Sequence, residues 1–441
     1  MLPRDRALWA LVIVLCLLLL TAPALWNGFP LLQYDTGGYL ARWFEGYLVP
    51  SRGGAYGLLL LAGAGGNFWP VLLVQCALTV WVISLLLRAH GYGRPWLLLG
   101  VVLALTTATT LPWLSAILLT DIFCGLAVLA LYLVMVRTDA LRRFERGPLI
   151  ALIAFAGATH SATYALLLAL FAGALIWHTR ARCPIKVTQL RDATLALTLG
   201  ALLTFSANFI VSGQWSWTPG GAALSFGRML QDGVVARYLD DHCPDPQLKL
   251  CAYRAELPRD ADAFFWGNPI FIKLGRFAGL GQEMQTIALH SLIGYPGLQL
   301  KSVAVDSAEQ LVDVHSGEGV LNSVWHTYAI IRKFTPWAAP AMQAAHQQKG
   351  ELGFEAINRL HYPLALFALL TLPAILLLLR GERFASVRQL AATVAFAVLA
   401  NAAICGVFSN PHDRYGARIV WLAGLTVLMA IITATRPPKF D

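Results

Sequence analysis

Nine strongly apolar blocks, most of them 17 to 23 residues long, decide what this chain can become. They lie at 7–26, 68–87, 95–113, 114–136, 148–179, 193–211, 363–379, 390–408 and 419–435. About 20 apolar residues in a helix span the ~30 Å of hydrocarbon in a bilayer. Backbone groups find no water there, so such spans must be helical. A soluble domain carries about 25% charged residues; this chain carries 13%, with 57% hydrophobic residues, which makes lipid its solvent. The first block follows Arg4 and Arg6. A cleaved signal peptide is the alternative there, since Ala22-Pro23-Ala24 resembles a small-residue cleavage site; a span is the expectation.

Lys and Arg set the orientation. The short connections 88–94, 137–146, 180–191 and 380–388 are basic, as are both chain ends, and read as cytoplasmic. The connections 27–67, 212–359 and 409–417 then fall outside. The 32-residue block 148–179 lies between two basic connections. Two short helices turning at Thr159-His160-Ser161 keep both of those connections inside. The expected fold is an all-α polytopic membrane protein with about ten transmembrane helices and a mid-chain helical periplasmic loop. About seven helices fall in 1–212, which includes a first outer loop at 27–67, and about three in 360–441; the soluble region spans 213–359. The setting implied is a bacterial inner (cytoplasmic) membrane. Charge follows the same division. The stretch 213–355 holds 11 Lys/Arg against 14 Asp/Glu, the remainder 22 against 10. The net charge of +9 is therefore a topology signal, and no nucleic-acid partner is needed to explain it.

Of seven cysteines, Cys16, Cys76, Cys124 and Cys405 lie in apolar blocks and Cys183 in an inner connection. Cys243 and Cys251 share the outer loop, where a disulfide suits an oxidising compartment; a metal site with His242 is the rival. The same loop shows helical apolar periodicity at 284–293 and 298–314, as amphipathic helices on the membrane or the bundle. Phosphate-loop and zinc-protease motifs are absent from the sequence.

Four outer polar groups are candidates for chemistry. Asp35, in Gln33-Tyr34-Asp35-Thr36-Gly37-Gly38-Tyr39, could act as a general base between Tyr34 and Tyr39, or simply cap a short helix at 36–43. Asp121 sits at the outer end of a span, where a carboxylate is costly and function is the default reading; an interhelical hydrogen bond is the alternative. His160, at the turn, could bind a substrate group or be structural. In His412-Asp413-Arg414-Tyr415-Gly416-Ala417-Arg418 two arginines four residues apart share a helix face. Guanidinium groups suit phosphate; snorkelling to headgroups or pairing with Asp413 is the alternative.

An acid in the first outer loop, a second at the start of the fourth helix, and an outer Arg-Tyr segment late in the chain resemble the GT-C glycosyltransferases. These are multi-spanning enzymes that use polyprenyl-phosphate sugars, with protein O-mannosyltransferases and lipid A aminoarabinose transferases among them. The resemblance implies that Asp35 and Asp121 are the catalytic acids, and that Arg414 and Arg418 hold the lipid phosphate with Tyr34, Tyr39, His160, His412 and Tyr415 around the substrate. It implies sugar transfer from a polyprenyl-phosphate donor to a glycan, lipid or protein acceptor on the periplasmic side, by inverting single displacement. No cofactor is required by the residues; a divalent cation, Mg or Mn, stays open. Here Asp35 stands alone where the mannosyltransferase-like members carry paired acids, which argues against metal at that loop. The outer region lies before the last three helices rather than after them. A lipid or glycan transporter or flippase is the alternative from another class, although matching halves are not evident in the sequence. A catalytically silent envelope scaffold is the third.

Overall fold

The structure is a computed structural model describing residues 3–48, 50, 52–180, 185–218 and 222–435. Cys183, the end of the turn-rich stretch at 219–221, and Arg436 and Lys439 lie outside the described residues. In chain order the α-helices are α1 (Pro3–Asn27), α2 (Tyr34–Glu45), α3 (Gly54–Gly63), α4 (Trp69–Ala89), α5 (Pro95–Ala108), α6 (Leu111–Ala116), α7 (Asp121–Val136), α8 (Arg143–Thr159), α9 (Ser161–His178), α10 (Val187–Ser212), α11 (Ala222–Gln231), α12 (Val234–His242), α13 (Ala261–Phe265), α14 (Pro269–Lys273), α15 (Arg276–Gly294), α16 (Pro296–Val312), α17 (Trp325–Phe334), α18 (Ala339–Ala344), α19 (Phe354–Leu378), α20 (Ala385–Phe408) and α21 (Asp413–Thr435). Among the described residues no β-strand forms; an isolated parallel bridge joins Leu31 with Ile117.

The protein is thus an all-helical, multi-pass membrane protein. Seven helices among the described residues are long and apolar enough to cross a membrane: Asp5–Asn27, Trp69–Ala89, Ser161–His178, Val187–Ser212, Phe354–Leu378, Glu382–Phe408 and Asp413–Thr435. The blocks predict ten spans, and the difference has a local cause. The apolar run 95–136 is not two uninterrupted helices. It breaks at Thr109, whose backbone is extended, and again between Ile117 and Thr120. That leaves α5 with 14 residues and α7 with 16. The run 148–179 divides at His160, leaving α8 with 17 residues.

Helix α7 is apolar on every side because it is surrounded: all residues from Asp121 to Met135 are buried. It packs against α4, α8, α10, α20 and α21. The basic connections gather at one end of this bundle. Arg88 pairs with Glu145, Arg137 donates its Nε–H to the Ala89 carbonyl at 3.1 Å, and the Lys186 ammonium lies 3.3 Å from Asp139. Tyr132 donates to the Ser386 carbonyl and Tyr92 to Thr433, which places the start of α20 and the end of α21 at the same end.

The mid-chain region has a core of its own. Phe226, Met229, Val235, Leu239, Leu250, Phe264, Phe271, Leu280, Met284 and Ile287 bury one another. The predicted amphipathic helices are α15, which begins eight residues earlier than the periodicity at 284 suggests, and α16. Of the two places open to it, α16 takes the bundle. It packs along α20, where Gly406 lets it approach: a Cβ there would lie 2.8 Å from the Ser307 nitrogen. Cys243 and Cys251 form a disulfide, and His242 instead stacks on Tyr238 with ring centroids 4.0 Å apart.

Candidate functional site

The segment between α1 and α3 is built to present Asp35. Asn27 ends α1, and residues 31–33 run extended beside 116–118. Leu31 N–H donates to the Ala116 carbonyl and Leu118 N–H to that of Leu31. Gln347 fixes the same strip by exchanging two hydrogen bonds with the Leu32 backbone, at 3.0 and 2.7 Å. Gln33, not Asp35, caps α2: its side-chain oxygen accepts the Asp35 N–H at 2.7 Å. The capping alternative for Asp35 is therefore corrected, and α2 runs Tyr34–Glu45 rather than 36–43. With its backbone held by Gln33, the Asp35 carboxylate is free for other partners. Thr36 donates to the Leu118 carbonyl at 2.9 Å, locking α2 beside the start of α7. Gly37 and Gly38 have separate jobs. A Cβ on Gly37 would lie 2.6 Å from the Thr327 Cα, so glycine is what allows α17 to close on α2, and one on Gly38 would press on the Arg52 side chain.

Asp35 then lies in a chain of alternating charges. Arg52 donates its Nε–H to Asp35 Oδ1 at 3.0 Å, and Arg414 Nη1 donates to Asp35 Oδ2 at 2.8 Å. Arg414 Nε also lies 2.8 Å from Asp121 Oδ2. That last contact is an ion pair without hydrogen-bond alignment, for neither Asp121 oxygen accepts a hydrogen bond from the described residues. The structural alternative for Asp121 thus takes the form of an ion pair between α7 and α21. Side-chain exposures order the group in depth: 17% for Arg52, 13% for Arg414, 12% for Asp35 and 3% for Asp121. Burial alone would raise the Asp35 pKa, but the charges of Arg52 and Arg414 outweigh it and hold the carboxyl far below the usual carboxylate range. Asp35 is ionised at every physiological pH.

One turn further along α21, Arg418 is fully buried and meets neutral partners. Its Nε and Nη2 both donate to Asn401 Oδ1, at 3.2 and 2.7 Å; Nη2 lies 3.5 Å from Cys405 Sγ, and Nη1 3.5 Å from His160 Nδ1. Pairing with Asp413 does not occur, since that carboxylate takes His315 at 2.6 Å, and full burial removes the headgroup alternative. His160 sits between α8 and α9. Burial, then the positive charges of Arg418 and Arg414, push its pKa well down, so the neutral ring is an acceptor facing Arg418. The Tyr415 ring lies 5.6 Å from the Arg414 guanidinium carbon and 5.3 Å from that of Arg418. Tyr39 is buried within the field of Asp35, and burial first, then that charge, pushes its phenol up to about 12. Tyr34 is not drawn in: its ring stays 44% exposed, beside Tyr328.

His412 closes the outer side. Its Nδ1 lies 2.7 Å from Glu318 Oε1 and its Nε2 3.6 Å from Asp262 Oδ2, while Glu318 Oε2 accepts the Arg414 backbone N–H at 2.6 Å. Sequence reading misses Arg52, Asn401, Glu318 and Asp262. Two of them carry a signal. Arg52 is an outer-side arginine, flagged by the same orientation rule as Arg414, and Asn401 is a polar side chain inside an apolar block.

The group therefore holds three arginines against two aspartates, a surplus of one positive charge centred on Arg418. Such a group can bind an anion at its mouth while offering an ionised carboxylate beside it. Comparison of the chain with protein-family models, curated proteins and solved structures finds no match.

Proposed function

We propose that this protein is a membrane glycosyltransferase of the GT-C kind it resembles, moving a sugar from a polyprenyl-phosphate donor to an acceptor in the bacterial cell envelope. The observation that carries this reading is the Arg52–Asp35–Arg414–Asp121 chain, which joins the first outer segment to the start of the last helix, 379 residues apart, at one partly exposed spot. In this reading α5, α7 and α8 also cross the bilayer, giving ten spans in the inner membrane. The end bearing the basic connections faces the cytoplasm and the Asp35 end the periplasm.

The donor phosphate lies at headgroup depth on Arg414, with the Arg418 charge beneath it. Desolvated guanidinium groups stabilise the phosphate as it leaves, so no acid is needed to protonate it. The acceptor hydroxyl oxygen attacks the anomeric carbon, and the bond from that carbon to the phosphate oxygen breaks with both electrons going to the polyprenyl phosphate. The hydroxyl proton passes to Asp35 and then to water. Asp35, a weak base because it is doubly paired, orients the hydroxyl early and takes the proton late; its negative charge also favours the oxocarbenium character of the anomeric carbon. Asp121 acts through Arg414, holding that guanidinium in place. A single displacement inverts the anomeric configuration.

The test is transfer by purified protein in nanodiscs with radiolabelled polyprenyl-phosphate hexoses and pentoses and an envelope extract as acceptor. Asp35→Asn is expected to lower the rate by about 10²–10⁴-fold, the usual worth of a general base, with an unchanged unfolding midpoint. A wild-type rate in that variant would remove Asp35 from the chemistry. Movement of labelled lipid or glycan across vesicles without acceptor, and no transfer, would replace the enzyme with the transporter.

A further inference from the structure

One large side chain beside the Asp35 group is out of keeping with its surroundings. Trp266 follows α13 in an aromatic cluster in which Phe264, Phe265 and Phe271 are 0–7% exposed and Phe277 is half-buried, yet Trp266 is 56% exposed. It is nonetheless held in position. The indole Nε1–H donates to Asp262 Oδ1 at 3.0 Å, and the Phe277 ring packs edge-on with centroids 6.2 Å apart. The Arg52 guanidinium, which holds Asp35, lies 5.4 Å from the indole centroid. The second Asp262 oxygen points to His412 Nε2 at 3.6 Å, and half of the Asp262 side chain is exposed.

We infer that Trp266 and Asp262, with His412, form a carbohydrate-binding wall of the Asp35 site, so that the acceptor is itself a sugar. A pyranose presents an apolar C–H face ringed by hydroxyls. The electron-rich indole face suits the C–H bonds, whose hydrogens are slightly positive. The Asp262 carboxylate and the His412 imidazole beside it suit the hydroxyls. An interfacial tryptophan anchoring the protein in headgroups would stand among apolar neighbours at its rim. Here Phe265 and Phe277 flank the indole on one side, but Arg52 and Asp262, with His412 beyond it, give it a polar side as well. Position also separates acceptor from donor: Asp35 lies between Arg414, where the donor phosphate is placed, and Arg52, over which Trp266 stands. A ring on Trp266 therefore approaches Asp35 from the acceptor side. That assignment rests on the transferase reading; binding of a sugar at Trp266 does not.

The experiment uses full-length protein labelled with 5-fluorotryptophan in phosphatidylethanolamine and phosphatidylglycerol nanodiscs, the Trp266 fluorine resonance being the one lost in Trp266→Phe. The probes are methyl glycosides and short oligosaccharides of glucose, mannose, galactose and N-acetylhexosamines. At least one is expected to shift this resonance saturably, with affinity reduced about tenfold by Asp262→Asn. In transfer assays Trp266→Ala should raise KM for the acceptor about tenfold, the size of one aromatic contact, with kcat changed less than threefold, and Trp266→Phe should restore most of it. If no sugar moves the resonance, the wall is not a carbohydrate site. If nitroxide-headgroup lipids broaden it and no sugar shifts it, the indole is a membrane anchor. A saturable shift in a protein that transfers nothing would keep the sugar site and remove the transferase; transfer with a silent Trp266 would do the opposite.

Discussion

Two arginines of this protein, each beside a pair of carboxylates, are put to different uses. Arg228, on α11, is sealed at 1% exposure. It donates Nη1 to Asp232 at 2.7 Å, Nη2 to Gln299 at 2.6 Å and Nε to the Val407 carbonyl at 3.0 Å, binding α11 to α16 and α20. One arginine facing Asp232 and Asp306 leaves a negative surplus, which favours a proton on one of the two carboxyls. Burial first, then the neighbouring Asp232 charge, pushes the Asp306 carboxyl up to about 7. Around Arg414 the imbalance is the reverse, and it is left standing: three arginines to two aspartates, partly open to solvent. A strut is neutralised from within. Around Arg414 a positive charge is left that its own aspartates do not neutralise.

Exchanging the roles of the two residues is the strongest way to break this contrast. Arg414→Lys keeps the charge but loses the geometry that reaches two carboxylates at once. Transfer should fall about 10²–10³-fold, as when one preorganised donor is removed from a transition state, while the unfolding midpoint in detergent stays near wild type. Arg228→Met should do the reverse. It strands buried carboxylates and should cost about 3–5 kcal/mol of stability, read as a lowered unfolding midpoint, with kcat of the surviving folded fraction unchanged. If Arg228→Met spared stability, or Arg414→Lys spared transfer, the distinction between strut and site would be lost.

The contrast sharpens with pH. Asp306 is raised, so the folded state holds a proton that the unfolded chain releases above about pH 4. Its stabilising contribution is fully present below the ordinary carboxylate value and is lost as pH rises to about 7. Asp306→Asn, which stays neutral, should flatten that part of the stability–pH curve. Asp35 is lowered, so its contribution is complete above the ordinary carboxylate value and would be lost only in strong acid. Unfolding midpoints from pH 4 to 8 should therefore respond to Asp306→Asn in slope and to Asp35→Asn in no such way.

What the sequence makes legible follows from how strictly the solvent constrains each feature. Lipid forces apolar blocks to be helical and makes a polar side chain within them conspicuous. Asp121 stands out for that reason, while Arg414 and Arg418 stand out as arginines on the side away from the basic connections, and Asp35 in the first connection. The division at His160 is legible because two basic connections have to stay on one side. The break in 95–136 is not, although Pro112 and the threonines at 109, 110 and 120 mark it, because an apolar run reads the same whether or not it is bent. The loops are harder still. Glu318 and Asp262 meet His412 only when the 313–324 turn and α13 fold towards the start of α21, and no periodicity announces that. Arg52 escapes through inconsistency: the rule that singles out an outer-side arginine at 414 applies equally at 52.

The smallest effect expected concerns the rim of the site. Burial would lower the His412 pKa, but the hydrogen bond and charge of Glu318, then the charge of Asp262, outweigh it and raise it. Protonated His412 therefore ties Glu318 and α13 to the start of α21. Because the folded value lies above the ordinary one, this tie is complete below about pH 6.5 and is lost as pH rises through the raised value. With 23% of the ring and 33% of Glu318 exposed, water screens the pair. Amide exchange at Arg414, whose N–H is held by Glu318, should then quicken only about two- to fivefold between pH 6 and pH 9 after correction for the intrinsic rate, the worth of a part-exposed ion pair. In His412→Asn, which can bond but not titrate, that change should vanish while the deeper Asp35–Arg414 pair is unaffected. An equal loosening of the deep pair would mean that rim and core of the site titrate as one unit, and the ordering by depth would have to be abandoned.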